Sequence, residues 1–158
     1  MRSKKQLLDQ VKGDWTLAEI SISYKYKVGN TKSLKTIRGI YTLVRSLWNI
    51  ELIKLQEQFM VLYLNRSNKV IGYRLLNTGN MKNCPIDIKL LVSLALHCMA
   101  SGVIIAHNHP SGNLQPSKSD EELTAHVKRA LKLIDVKLLE HLIITETKYF
   151  SFNNEAML

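Results

Sequence analysis

The sequence predicts an α/β fold, a mixed β-sheet with helices on its faces. Three observations lead there. Strand-like and helix-like runs alternate through most of the chain, the pattern of a sheet covered by helices. Gln58–Leu64 (Gln-Phe-Met-Val-Leu-Tyr-Leu) is apolar on both faces, as a central strand must be when both sides are covered. A turn cluster, Asn65-Arg-Ser-Asn68, separates it from a second strand-like run and so predicts a hairpin. The 158 residues are enough for one domain with a real core. We expect that domain to span residues 1–158, with 1–35 as an N-terminal extension and the chemistry confined to 57–152.

Taken in order, residues 3–11 read as a short helix or as loose terminal chain, ended by Gly13-Asp14. From Leu17 to Val28, Ile20, Ile22, Tyr24, Tyr26 and Val28 share one face and Ser21, Ser23, Lys25 and Lys27 the other. That alternation predicts a half-buried strand with lysines suited to a sheet edge. Thr36–Trp48 carries Ile37, Ile40, Tyr41, Val44, Leu47 and Trp48 at helical spacing. The strand at 58–64 and its partner at 69–76 follow, then a loop marked by Gly79, Asn80 and Pro85. The helix from about Ile86 to Met99 is so apolar that it should lie largely buried, and Ser101-Gly102 should stop it. A buried strand at 103–106, a helix at about 119–133, a strand at 141–145 and a returning arm at 148–152 complete the sheet.

Composition excludes several classes. Hydrophobic content of 46% and charged content of 22% are those of an ordinary globular protein. No apolar run reaches the roughly 18–20 residues that span a bilayer, so no membrane association is expected. The N-terminus lacks the apolar core and cleavage site of a signal peptide. With only Cys84 and Cys98 there is no disulfide framework and no thiolate zinc spacing, which places the chain in a reducing, cytoplasmic setting. The net charge of +9 permits weak nucleic-acid binding, but the lysines and arginines are scattered and read first as a solvated basic surface.

The chemistry concentrates in Val103–Asp120. An apolar strand ends in His107-Asn108-His109, and a loop fixed by Pro110, Gly112 and Pro116 leads into Ser117-x-x-Asp120. Residues i and i+2 of a strand project to one face with Cα atoms roughly 6–7 Å apart, so both imidazoles can converge on one metal ion. Two histidines and a carboxylate form a known three-ligand zinc set with a fourth position open. Asp120 is ambiguous, because Ser117-x-x-Asp120 is also a helix capping box and Ser119-x-x-Glu122 competes with it. If Ser119 starts the helix, Ser117 and Asp120 are free for chemistry. A hydrolase would also need a general base; an acidic residue of the first half on a neighbouring strand would serve, and Glu19, Glu51 and Glu57, which immediately precedes the strand at 58–64, are the candidates.

The set His107-Asn-His109-Pro, seven intervening residues and Ser117-x-x-Asp120 resembles the JAMM (MPN+) metalloprotease motif. The fuller string His-Asn-His-Pro-Ser-Gly…Pro-Ser…Asp resembles its bacterial RadC-like branch, with similarity from about Glu57 to Phe152. The resemblance implies a JAB/MPN, deaminase-like α/β/α sandwich, Zn2+ on His107, His109 and Asp120, and hydrolysis of peptide or isopeptide bonds in a peptide or protein substrate. It selects Glu57, at the head of a strand, as general acid/base. It gives Ser117 the role of steadying the oxyanion.

Two departures from that branch stand out: Pro85-Ile86-Asp87 replaces Pro-Arg-Glu, and Glu140-His141 replaces Asp-His. The branch's family label adds DNA repair as the alternative, an accessory protein with a basic surface and a structural or vestigial zinc site. The first fifty residues, however, show no Gly-rich hairpin of the helix-hairpin-helix kind. A nucleoside deaminase would need His-x-Glu and Pro-Cys-x-x-Cys, and neither occurs. His97 and His126 read as structural or surface residues. His141, expected to begin a strand, reads either so or as a group hydrogen-bonded behind a ligand.

Overall fold

The computed structural model describes residues 33–78 and 86–158. The expected helix at 3–11, the expected strand at 17–28, Glu19, the loop marked by Gly79, Asn80 and Pro85, and Cys84 lie outside them. Helix α1 covers Ile37–Leu47, and a 3-10 turn, Ile50–Leu52, leads to strand β1, Gln58–Leu64. Strand β2 is Val70–Thr78, α2 Ile88–His97 and β3 Gly102–Asn108. Helix α3 is Lys118–Lys132, β4 Lys137–Ile144 and β5 Tyr149–Ser151. The strands form one mixed sheet in the order β2-β1-β3-β4-β5. Only the β3–β4 pair is parallel, and α3 makes its crossover; the other neighbours are antiparallel.

Period-2 alternation divides the core. Met60, Leu62 and Leu64 of β1, with Ile104, Ala106, Leu142 and Ile144, pack under Ile40, Val44 and Trp48 of the α1 segment. Phe59, Val61 and Tyr63, with Val103 and Ile105, meet Leu91 and Ala95 of α2 and Val127 and Leu131 of α3. Every residue of β1 and of β3 is buried. The expected α/β/α layering is therefore present.

Four expectations need correction. Helix α2 is not largely buried: Leu91 and Ala95 face the sheet, while Leu90 and Leu96 are 39% and 50% exposed, because an outer-layer helix touches the sheet with one stripe only. Ser101-Gly102 does not stop it. Met99 adopts φ 52, and Ala100 N–H reaches Ala95 O at 2.9 Å, a Schellman ending built on methionine instead of glycine. Helix α3 begins one residue earlier than expected, with Ser117 and not Ser119 as its cap. Finally, β4 starts at Lys137, so His141 lies inside the strand and does not begin it.

One irregularity sets the phase of β4. Val103 pairs with Leu138 but Ile104 with Glu140, so Leu139 is an extra residue on that strand. Beside it a Cβ on Gly102 would stand 2.5 Å from Leu139 Cδ1, so a larger residue there would force the Leu139 side chain to shift.

Candidate metal centre

The antiparallel β1–β3 register pairs Phe59 with His107. It therefore brings Glu57, just before β1, to the same sheet edge as the tail of β3. His107 is the penultimate residue of β3 and buried. His109 lies just past the strand, yet its N–H still bonds Ile144 O at 3.0 Å, which extends the ladder and holds the ring on the His107 face. The chain then turns, with Gly112 N–H to His109 O at 3.0 Å and Gly112 at φ +80, where glycine alone is unstrained. It returns at Ser117, the N-cap of α3.

At that cap the two readings of Ser117 and Asp120 turn out to be compatible. Ser117 N–H donates to Asp120 Oδ2 at 2.7 Å, and Asp120 N–H to Ser117 Oγ at 3.2 Å, a complete capping box. The Ser117 hydroxyl also donates to Oδ2 at 2.6 Å. Asp120 Oδ2 thus serves the helix cap while also facing His109, and Oδ1 faces His107.

His107, His109 and Asp120 each present one donor atom, all within 4.8 Å of one another. The separations are 3.0 Å from His107 Nε2 to His109 Nε2, 3.2 Å from His107 Nε2 to Asp120 Oδ1 and 3.5 Å from His109 Nε2 to Asp120 Oδ2. Tetrahedral ligands roughly 2.0–2.1 Å from a zinc ion stand about 3.3 Å apart, close to the separation of the two histidine nitrogens and of each from its nearer Asp120 oxygen. Two imidazole lone pairs and a carboxylate this close repel unless a cation lies between them. The cluster is therefore able to hold a metal ion, and in its absence a proton serves: hydrogen bonds to Asp120 and to the Asn113 carbonyl outweigh burial and raise the His109 pKa. Burial pulls the Asp120 carboxyl upward, but its contacts with His107 and His109 prevail and hold it well below the usual carboxylate range.

Behind the donors stands a polar layer. His109 Nδ1 donates to Asn113 O at 2.6 Å. His107 Nδ1 meets His141 Nε2 at 2.9 Å, and His141 Nδ1 meets Thr124 Oγ1 at 2.6 Å. His141 is fully buried and stacks on Phe152 at 4.4 Å; burial drives its pKa well below the ordinary histidine value. On the other face of β3, Asn108 clamps the segment that carries Glu57. Its Oδ1 accepts Gln58 N–H at 2.8 Å, and its Nδ2 donates to Ile53 O at 2.7 Å and Gln56 O at 3.0 Å. Glu57 is half-buried; burial raises its pKa, the charges of His107 and His109 work against this, and Asp120 adds to it. Glu57 is thus electrostatically in contact with all three donors, whereas Glu51 is exposed and enters none of these interactions.

Sequence reasoning missed Asn108 and Thr124. Strand alternation alone points Asn108 away from the histidines, and that was the available signal. Among the described residues His97 and His126 take no part in the cluster, and no helix is long and apolar enough to cross a membrane.

Comparison with known proteins agrees with this geometry. A UPF0758 protein of Flavobacterium johnsoniae is 48% identical over 101 residues, 64% of this chain and 44% of that protein. One from Porphyromonas gingivalis is 41% identical over 104 residues, 65% of this chain and 46% of that protein. UPF0758 protein YfjY of Escherichia coli is 37% identical over 103 residues, 65% of this chain and 64% of that protein. The chain spans about half the length of the first two relatives. The profile of the RadC-like JAB domain matches residues 34–157, which contain the whole described sheet and every residue of the cluster. The chain belongs to the RadC-like JAB domain family.

Proposed function

We propose that this chain is a zinc-dependent metallohydrolase that cleaves peptide or isopeptide bonds in a protein substrate. The observation that carries this reading is the convergence of His107, His109 and Asp120 within 4.8 Å beside a half-buried carboxylate, Glu57, whose pKa is raised. His107, His109 and Asp120 would hold the zinc ion, which would supply Lewis acidity to the hydrolysis. Glu57 takes one proton from the attacking water and returns it to the leaving nitrogen as the C–N bond breaks, a dual role that suits a raised carboxyl pKa. Ser117 Oγ, exposed at the mouth of the site, turns its hydrogen from Asp120 Oδ2 toward the developing oxyanion.

Metal analysis of the purified full chain tests the site. Wild type should carry zinc near one equivalent, and His109→Ala should lose it; equal content in both forms refutes the ligand set. Glu57→Gln should keep the metal and lose turnover, which makes it the form with which to trap and identify substrates. Loss of zinc in that variant would make Glu57 a ligand instead of the base.

A further inference from the structure

His107 offers the cluster a lone pair only if its proton sits on Nδ1, and nothing in the cluster itself imposes that. The hydrogen bonds behind it do. Thr124 Oγ1 lies 2.6 Å from the carbonyl oxygen of Asp120. Two oxygens this close need the hydroxyl hydrogen between them, because a carbonyl has none to give. Thr124 Oγ1 is then an acceptor toward His141 Nδ1, 2.6 Å away. His141 is 0% exposed, and its ring nitrogens meet only Thr124 and His107. Neither ring nitrogen bonds a carboxylate, so the fully buried ring is neutral with a single N–H. That N–H is spent on Thr124, and His141 Nε2 is left as an acceptor. The contact of 2.9 Å to His107 Nδ1 must take its hydrogen from His107.

We propose that Thr124 and His141 are positioning residues that lock His107 as the Nδ1–H tautomer, with its Nε2 lone pair aimed at the metal. The chain of hydrogen bonds starts on the backbone of one ligand residue, Asp120, and ends on another, His107. It therefore joins α3 to β3 behind the site and fixes the distance between two donors as well as the tautomer of one. His109 is set separately, by the Asn113 carbonyl. The inference rests on the metal-binding reading above.

The test uses the full chain, Zn2+ alone as the probe in competition with a chromophoric chelator, and long-range proton–nitrogen NMR of the metal-free protein to read histidine tautomers. Thr124→Val keeps the side-chain shape and removes the hydroxyl. It should weaken zinc binding by roughly 10–100-fold, the usual cost of losing the group behind a ligand, and should give mixed tautomers at His141 and His107. Thr124→Ser restores the hydroxyl and should return both readouts to wild type, which a purely steric role would not do. Zinc affinity in Thr124→Val equal to wild type, with tautomers unchanged, overturns the lock. If wild type itself binds no zinc, the metal reading fails, and the tautomers of Thr124→Val still decide the inference: unchanged refutes it, mixed upholds it.

Discussion

Asn108→Ala is the perturbation that most directly separates the base from the metal. The wild-type amide is 0% exposed and makes three hydrogen bonds, to Gln58 N–H, Ile53 O and Gln56 O. Truncation orphans all three backbone groups. Each buried unsatisfied group costs about 1–3 kcal/mol, and water entering the vacated volume relieves part of this, so the expected loss is roughly 3–5 kcal/mol. For a chain of this size that is a fall in Tm of about 10 °C. The segment Ile53–Gln58 should loosen and carry Glu57 with it, while the metal donors, on the opposite face of β3, stay in place. Chemical denaturation measures the stability, hydrogen exchange at the Gln58 amide reports the clamp itself, and metal analysis reports the donors. Asn108→Asp sharpens the result. It keeps the acceptor for Gln58 but sets a carboxylate oxygen against two carbonyls, so its destabilisation at neutral pH should shrink on acidification as the protonated acid regains a donor. A loss under about 1 kcal/mol with Gln58 still protected would refute the clamp.

Two further outcomes follow from the same geometry. Asp120→Asn and Asp120→Ala should both abolish metal binding, but Asn can still cap α3. Metal-free Asp120→Asn should therefore be more stable than Asp120→Ala by about 0.5–2 kcal/mol, and equal stability would mean that Asp120 has no capping role. Glu140 is 0% exposed; burial raises its carboxyl pKa against hydrogen bonds from Ser151 Oγ at 2.7 Å, Asn153 N–H at 3.2 Å and His141 N–H at 2.8 Å. The folded state holds this proton more tightly than the unfolded one, so its contribution to stability falls as pH rises from the ordinary value of 4.5 through the folded value. Glu140→Gln, whose oxygen can still accept both N–H groups while its amide donates to Ser151, should flatten that dependence and match or exceed wild type at pH 7. An unchanged slope in thermal melts across acidic pH would contradict this.

The sheet and its site were legible in the sequence to different depths. The layering was, because buried strands and amphipathic helices carry unlike periodicities. His107 and His109 were, because a spacing of two on a strand fixes a shared face without any tertiary information. Glu57 was not readable from the residues alone. Its meeting with the histidines depends on antiparallel pairing across fifty residues, and only the resemblance to a motif selected it. One helix end was misjudged, where Met99 takes the left-handed conformation usually held by glycine. The overlapping boxes at Ser117 and Ser119 were undecidable from the sequence, which offers an acidic residue three positions after each serine; the structure closes the box on Ser117 and Asp120. The place of His141 was hidden by the extra residue at Leu139.

That extra residue has a consequence for which group stands behind His107. Side chains aligned across parallel strands share a face, and the observed alignment sets His141 beside Ile105, on the side of His107. In an unbroken ladder Glu140 would occupy that place and His141 would point beneath α1. A one-residue offset thus chooses an uncharged ring over an acid as the neighbour of a metal donor and sends the acid to brace Ser151 instead. The strand writes Glu-His; its phase decides which of the two letters the site reads.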